Sequence, residues 1–137
     1  MFEVLLVEDM EGDVLLVQEA VADLDMEVRL HVVRDGVDAL AFLKREGPYM
    51  DRPAMGIVLM DANTPRRNAV EVLRELRSDS ALKSLPVVVF SSSAASHDAE
   101  LNLAAGADAY VTKPLEFEAF MQAVQGILRH WMGRASA

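Results

Sequence analysis

Cysteine is missing from this 137-residue chain. That excludes disulfide staples and thiolate catalysis, and it makes the cytoplasm the expected location. No apolar run approaches the roughly 20 residues needed to cross a bilayer, so no membrane partner is expected. The opening MFEVLLVED is acidic by its third residue and lacks a basic segment, which excludes a secretory signal peptide. Basic residues are outnumbered: 13 Lys and Arg face 22 Asp and Glu, a formal charge of -9. Such an excess disfavours nonspecific binding to nucleic acid and suits a cation or a basic partner surface. Repeats, low-complexity tracts and interdomain linkers are also absent. The length fits one domain, expected over residues 1–133, with residues 134–137 as a frayed tail.

What the chain does contain is apolar sequence in short pieces, 52% hydrophobic in all. Continuous runs at Val4–Val7, Ile57–Met60 and Val87–Phe90 have the pattern of strands covered on both faces, as in a parallel sheet. Val28, Leu30 and Val32 alternate with Arg29 and His31, as in a strand nearer an edge, and Ala109–Val111 is a shorter run. Between them lie helical stripes. These are Val14, Val17, Val21 and Leu24; then Val37, Leu40, Ala41, Phe42 and Leu43; then Val70, Leu73 and Leu76. A weak stripe follows at Leu101, Ala104 and Ala105, and the longest at Phe117, Phe120, Val124, Ile127 and Trp131. Strand and helix alternate five times, which predicts a doubly wound α/β domain with a five-stranded parallel sheet flanked by five helices. Arg45 to Gly56 is the one long loop.

In such a sheet, sites form beyond the carboxyl ends of the strands. There the sequence places Glu8 and Asp9, then Asp61 and Asn63, then Ser91, Ser92 and Ser93, then Thr112, Lys113 and Pro114. Taken singly, each has a plain reading: Asp61 as a helix cap or turn residue, the serines as a loop, Lys113-Pro114 as a turn. Taken together, carboxylates, a hydroxyl and an ammonium meet at one edge. Clustered carboxylates raise one another's pKa unless a cation neutralises them. Oxygen donors without histidine or cysteine favour magnesium. A phosphoryl group on Asp61 would share that cation, with Lys113 as a second positive charge and a hydroxyl donating to a phosphoryl oxygen. His31, His97 and His130 lie elsewhere, so a phosphohistidine donor would come from another protein.

The motifs LLVED (Glu8, Asp9), VLMD (Asp61), PVVVFSSS (Ser91) and AGADAYVTKP (Tyr110, Lys113, Pro114) resemble those of response-regulator receiver domains, the chemotaxis-regulator-like modules of two-component signalling. The separations agree: 30 positions from Asp61 to Ser91 and 52 from Asp61 to Lys113. The resemblance implies a flavodoxin-like fold with strand order 2-1-3-4-5. It implies that Asp61 is the phosphoacceptor, served by a sensor histidine kinase, and that Mg2+ is held by Glu8, Asp9, Asp61 and the carbonyl of Asn63. Ser91 and Tyr110 would be the switch pair, Lys113 would bridge to the phosphoryl group, and the Lys113–Pro114 bond would be cis. VEDMEGDVLLVQEAV, FLKREGPYMDRP and DANTPRRNAVEVLRELRSD are more narrowly similar to stand-alone regulators paired with phytochrome-type kinases. The chain is therefore expected to carry no DNA-binding output domain.

Some positions depart from the pattern. Ala69 stands where receivers of this kind have glycine, which puts the shape of the loop after Asp61 in doubt. Thr64, Arg66 and Arg67 make that loop more basic; kinase contact and plain solvation are both open. Met121 and Leu128 widen the apolar face of the last helix, which core packing or a homodimer through the fourth helix, fifth strand and fifth helix would explain. Beside a phosphorylated switch that is not an enzyme, apart from accepting and slowly losing its own phosphoryl group, two readings stay open. One is a phosphate-independent binding module with a vestigial acidic pocket; the other is a magnesium-dependent phosphatase, which normally has a second aspartate where Asn63 stands.

Overall fold

The structure, a computed structural model, describes residues 1–136. Strands β1 (Phe2–Val7), β2 (Val28–Val33), β3 (Ile57–Met60), β4 (Val87–Ser91) and β5 (Ala109–Thr112) alternate with helices α1 (Glu11–Ala22), α2 (Gly36–Leu43), α3 (Ala69–Ser78), α4 (Ser96–Ala105) and α5 (Phe117–Ser136). The strands pair in parallel in the order β2-β1-β3-β4-β5, as expected. The continuous runs β1, β3 and β4 are the buried strands, and their alternate residues feed two cores. Leu5, Val7, Val58, Met60, Val87 and Val89 pack with α2 and α3. Val4, Leu6, Ile57, Leu59, Val88 and Phe90 pack with α1 and α5.

Caps place the helices. Asp35 accepts the Asp38 N–H at the start of α2. Asn68 and Glu71 form a reciprocal capping box on α3, with bonds of 3.0 and 3.1 Å. Asp61 therefore does not cap α3; the cap lies seven residues on. Gly106, in the left-handed region at φ 118°, ends α4. Within the long loop, a 3-10 turn at Gly47–Tyr49 precedes Arg52, whose guanidinium closes the end of α2 by donating to the carbonyls of Phe42 and Leu43.

Some residues of the expected stripes face outward. Val37, Leu101 and Phe117 are exposed, and the buried residue of α4 is Asn102. Met121 and Leu128 belong to the core with Phe120 and Val124, so they supply no second apolar surface. Helix α5 runs on to Ser136, through most of the expected tail, and Ala137 lies outside the described residues. No peptide bond among the described residues is cis, so the bond between Lys113 and Pro114 is trans and the expected cis bond is not found. No described helix is long and apolar enough to cross a membrane.

Candidate phosphoacceptor site

Parallel pairing brings the carboxyl ends of β1, β3, β4 and β5 to one edge, and the polar residues converge there as the strand ends require. Lys113 is the centre. Its Nζ lies 2.8 Å from Glu8 Oε2, 2.8 Å from Asp61 Oδ2 and 2.7 Å from Asp13 Oδ2. Its backbone N–H donates to the Ser91 carbonyl at 2.6 Å, which ties the end of β5 to β4. The ammonium also lies 5.9 Å from the centroid of the Phe90 ring.

Both oxygens of Asp61 are engaged. Oδ1 accepts the Asn63 N–H at 3.0 Å and Oδ2 accepts from Lys113. Burial would raise its pKa, but the Asn63 N–H and the Lys113 ammonium outweigh that and hold the carboxyl below its ordinary range. Glu8 behaves oppositely. Desolvation dominates and pushes it up to about 7, although Lys113 pulls it down. Lys113 is itself pushed down by burial, yet its bonds to Asp13, Asp61 and Glu8 raise it well above the usual range. The edge thus combines an ionised acceptor, a fixed ammonium and a carboxyl that readily holds a proton.

That combination sets a pH dependence. Between about 4.5 and about 7 the folded chain keeps a proton on Glu8 that the unfolded chain has released, so stability falls as pH rises through this window. The opposite shift of Asp61 acts lower, below its ordinary value of 3.8. Chemical denaturation of chelator-treated protein is expected to show this negative slope, and Glu8→Gln to flatten it.

The other expected site residues are placed as follows. Asp9 is exposed and its side chain has no hydrogen-bond or ion-pair partner among the described residues. Ser91 is fully buried, and its Oγ accepts the Ser93 N–H at 3.2 Å. Tyr110 packs against the α2–α3 core and donates its hydroxyl to the Ser93 carbonyl at 2.8 Å. Among the described residues no three acidic or histidine side chains form a ready cation cage, because Glu8, Asp13 and Asp61 converge on an ammonium instead. The donor chemistry nonetheless fits a hard divalent cation: Asp9 offers an unpartnered carboxylate beside Glu8, and Asp61 and the Asn63 carbonyl offer further oxygens.

Asp13 is a site residue that the sequence does not announce. In sequence it is an acid in the first turn of a helix, a position the helix dipole favours anyway; only its distance from Lys113 reveals it. The loop after Asp61 also resolves the doubt over Ala69. That residue is buried inside α3, its N–H donating to Ala62, and the left-handed residue is Arg66 at φ 64°. Arg66 pairs with Asp35 and Asp38, and Arg67 with Glu75, so both basic side chains are already engaged within the chain.

The family model of the response regulator receiver domain matches residues 4–125. The response regulator Rcp1 of Synechocystis sp. is 35% identical over 129 residues, covering 94% of this chain and 88% of its own. The crystal structure of the phosphorylated cyanobacterial phytochrome response regulator RcpA superposes with a TM-score of 0.91 at 36% identity, covering 96% of this chain and 94% of that one. The Mn(2+)-bound form of Rcp1 superposes with a TM-score of 0.89 at 34% identity, covering 96% of this chain and 94% of that one.

Proposed function

The chain belongs to the response regulator receiver family, whose members are signalling modules rather than classical enzymes, and on that premise we propose that it is a single-domain regulator that accepts a phosphoryl group on Asp61. The observation that carries this reading is the pairing of Asp61 Oδ2 with the buried Lys113 ammonium at 2.8 Å. An Asp61 oxygen attacks phosphorus, the P–N bond of a kinase phosphohistidine breaks, and the imidazole leaves with the electron pair. The Asn63 N–H and Lys113 hold the carboxylate in place during approach, so most of the catalysis is positioning and charge neutralisation.

Glu8, Asp9, Asp61 and the Asn63 carbonyl would hold Mg2+, which when bound neutralises charge that the carboxylates and the phosphoryl group share. The likeness to a phytochrome response regulator supports a phytochrome-type histidine kinase as the donor, and the lack of cysteine suits a cytoplasmic setting. Once phosphorylated, Asp61 carries about one more negative charge, because a phosphoryl dianion takes the place of the carboxylate charge. Ser91 and Lys113 are drawn toward the phosphoryl group, the Ser93 carbonyl that holds the Tyr110 hydroxyl shifts with its loop, and the α4-β5-α5 surface changes. Leu101 and Leu103, exposed on α4, support that surface as the place where a second copy docks. Sedimentation with and without phosphorylation tests the homodimer.

The test of the phosphoacceptor is direct. Incubation with Mg2+ and acetyl phosphate is expected to add a single phosphoryl group by intact mass, and Asp61→Asn to abolish it. Modification that persists in Asp61→Asn would sink the assignment, and many turnovers per chain would favour a phosphatase.

A further inference from the structure

Asp13 belongs to none of the roles assigned above, yet it makes the shortest of the carboxylate contacts to Lys113, at 2.7 Å. It stands in the first turn of α1 and helps to line a groove of about 350 Å3 that also reaches Asp61 and Lys113. The remaining wall is largely apolar, with Met10, Leu16, Leu115 and Phe117. Met10, Leu115 and Phe117 are exposed although large and hydrophobic. A donor that reaches Asp61 through this groove passes a fixed negative charge. The Lys113 ammonium has Glu8 and Asp61 as further carboxylate partners.

We propose that Asp13 is a specificity-determining positioning residue that favours phosphoryl donors with an imidazole leaving group over donors with an anionic one. The inference rests on the reading of Asp61 as phosphoacceptor. In either transfer an Asp61 oxygen forms a bond to phosphorus as the donor bond breaks, and the electron pair departs with the leaving group. From acetyl phosphate that group is acetate, an anion formed beside the Asp13 carboxylate and disfavoured by it. From a phosphoimidazole it is an imidazole, whose released nitrogen takes up a proton from water and then donates that N–H to Asp13. Asp13 also shares the ammonium that the transferred phosphoryl group must recruit, so it yields Lys113 as the negative charge on Asp61 grows.

The test compares two small donors on one protein. With Mg2+ present, Asp13→Asn is expected to take phosphate from acetyl phosphate faster and from phosphoimidazole more slowly, shifting the ratio of the two rates about tenfold. Asp13→Glu is expected to keep the wild-type ratio. A structural role would move both rates together, so an equal change with both donors, or none, overturns the proposal. Should the asparagine variant fold poorly, Asp13→Ser gives the same readout. In metal-free protein, the Lys113 ammonium resonance is expected to exchange faster with water in Asp13→Asn than in wild type; identical exchange would show that the contact does not hold in solution and would overturn the inference. Wild-type protein that is phosphorylated at Asp61 with an unaltered donor ratio in the variant sinks this inference alone, whereas wild-type protein that takes phosphate from neither donor sinks the phosphoacceptor reading as well.

Discussion

Replacing Lys113 by methionine is expected to destabilise the metal-free chain by about 2–3 kcal/mol and to slow phosphoryl uptake by about a hundredfold or more. The side chain has three carboxylate partners and is only 8% exposed. Removing one member of a buried ion pair costs roughly 3–5 kcal/mol because the other charge is stranded. Two features reduce that figure here. Glu8 already titrates near neutrality, at about 7, so it can take up a proton once the ammonium is gone. Asp13 and Asp61 keep some contact with water, with side chains 20% and 13% exposed. Methionine preserves most of the stem volume, so the loss reports charge rather than a cavity. The kinetic effect has a separate origin: the phosphoryl group would lose a donor held in place beforehand. Urea denaturation with and without a divalent cation separates the two. The cation is expected to stabilise the variant more than the wild type, since it supplies the missing positive charge at the same edge. Equal stability of variant and wild type without metal would mean that the three acids do not depend on this ammonium.

The parts of the fold that are legible in the sequence are those where burial is symmetric. Runs such as Ile57–Met60 have no polar face to confuse the reading, and every residue in that strand is buried. The helices are less so. In α5, apolar residues occupy so wide an arc that the stripe beginning at Phe117 and the one through Met121 and Leu128 fit the helical period equally well. Tertiary packing buries Phe120, Met121, Val124 and Leu128 together, keeps Ile127 and Trp131 against them, and leaves Phe117 over the groove beside Asp61. In α4 the residue turned inward is Asn102, whose amide donates to the Asp98 carbonyl within the same helix; a polar core residue leaves no hydrophobic signal. The site is legible as a set of strand ends, and Glu8, Asp61 and Lys113 meet as that reading requires. Asp13 is not, because its partner lies 100 residues away and its local pattern is that of an ordinary helix start. The shape of the loop after Asp61, which Ala69 left in doubt, is set by a left-handed residue that nothing local announces: Arg66, anchored by Asp35 and Asp38.

The same loop carries the second large effect. Gly36→Ala is expected to cost about 2–4 kcal/mol and to lower the phosphorylation rate, although Gly36 is remote in sequence from Asp61. A Cβ at Gly36 would meet the Arg67 carbonyl oxygen at 2.0 Å and the Arg67 Cβ at 2.7 Å. The obstacle is mostly backbone, so no rotamer change relieves it. The loop has little room to retreat. The Gly36 N–H donates to the Pro65 carbonyl at 3.1 Å, Arg66 is tied to Asp35, and the Thr64 hydroxyl donates to the Arg67 carbonyl. Pushing Arg67 away strains the segment whose Asn63 N–H fixes Asp61 Oδ1, so the acceptor loses alignment along with the fold losing stability. Gly126→Ala is the control. That glycine lies in α5, and a methyl group added there would have nothing within 4 Å. Alanine at that position is expected to stabilise by about 0.5–1 kcal/mol through helix propensity. Opposite signs for the two substitutions in one denaturation series would attribute the Gly36 loss to the close approach of α2 and the acceptor loop, because a general intolerance of added methyl groups would give both the same sign.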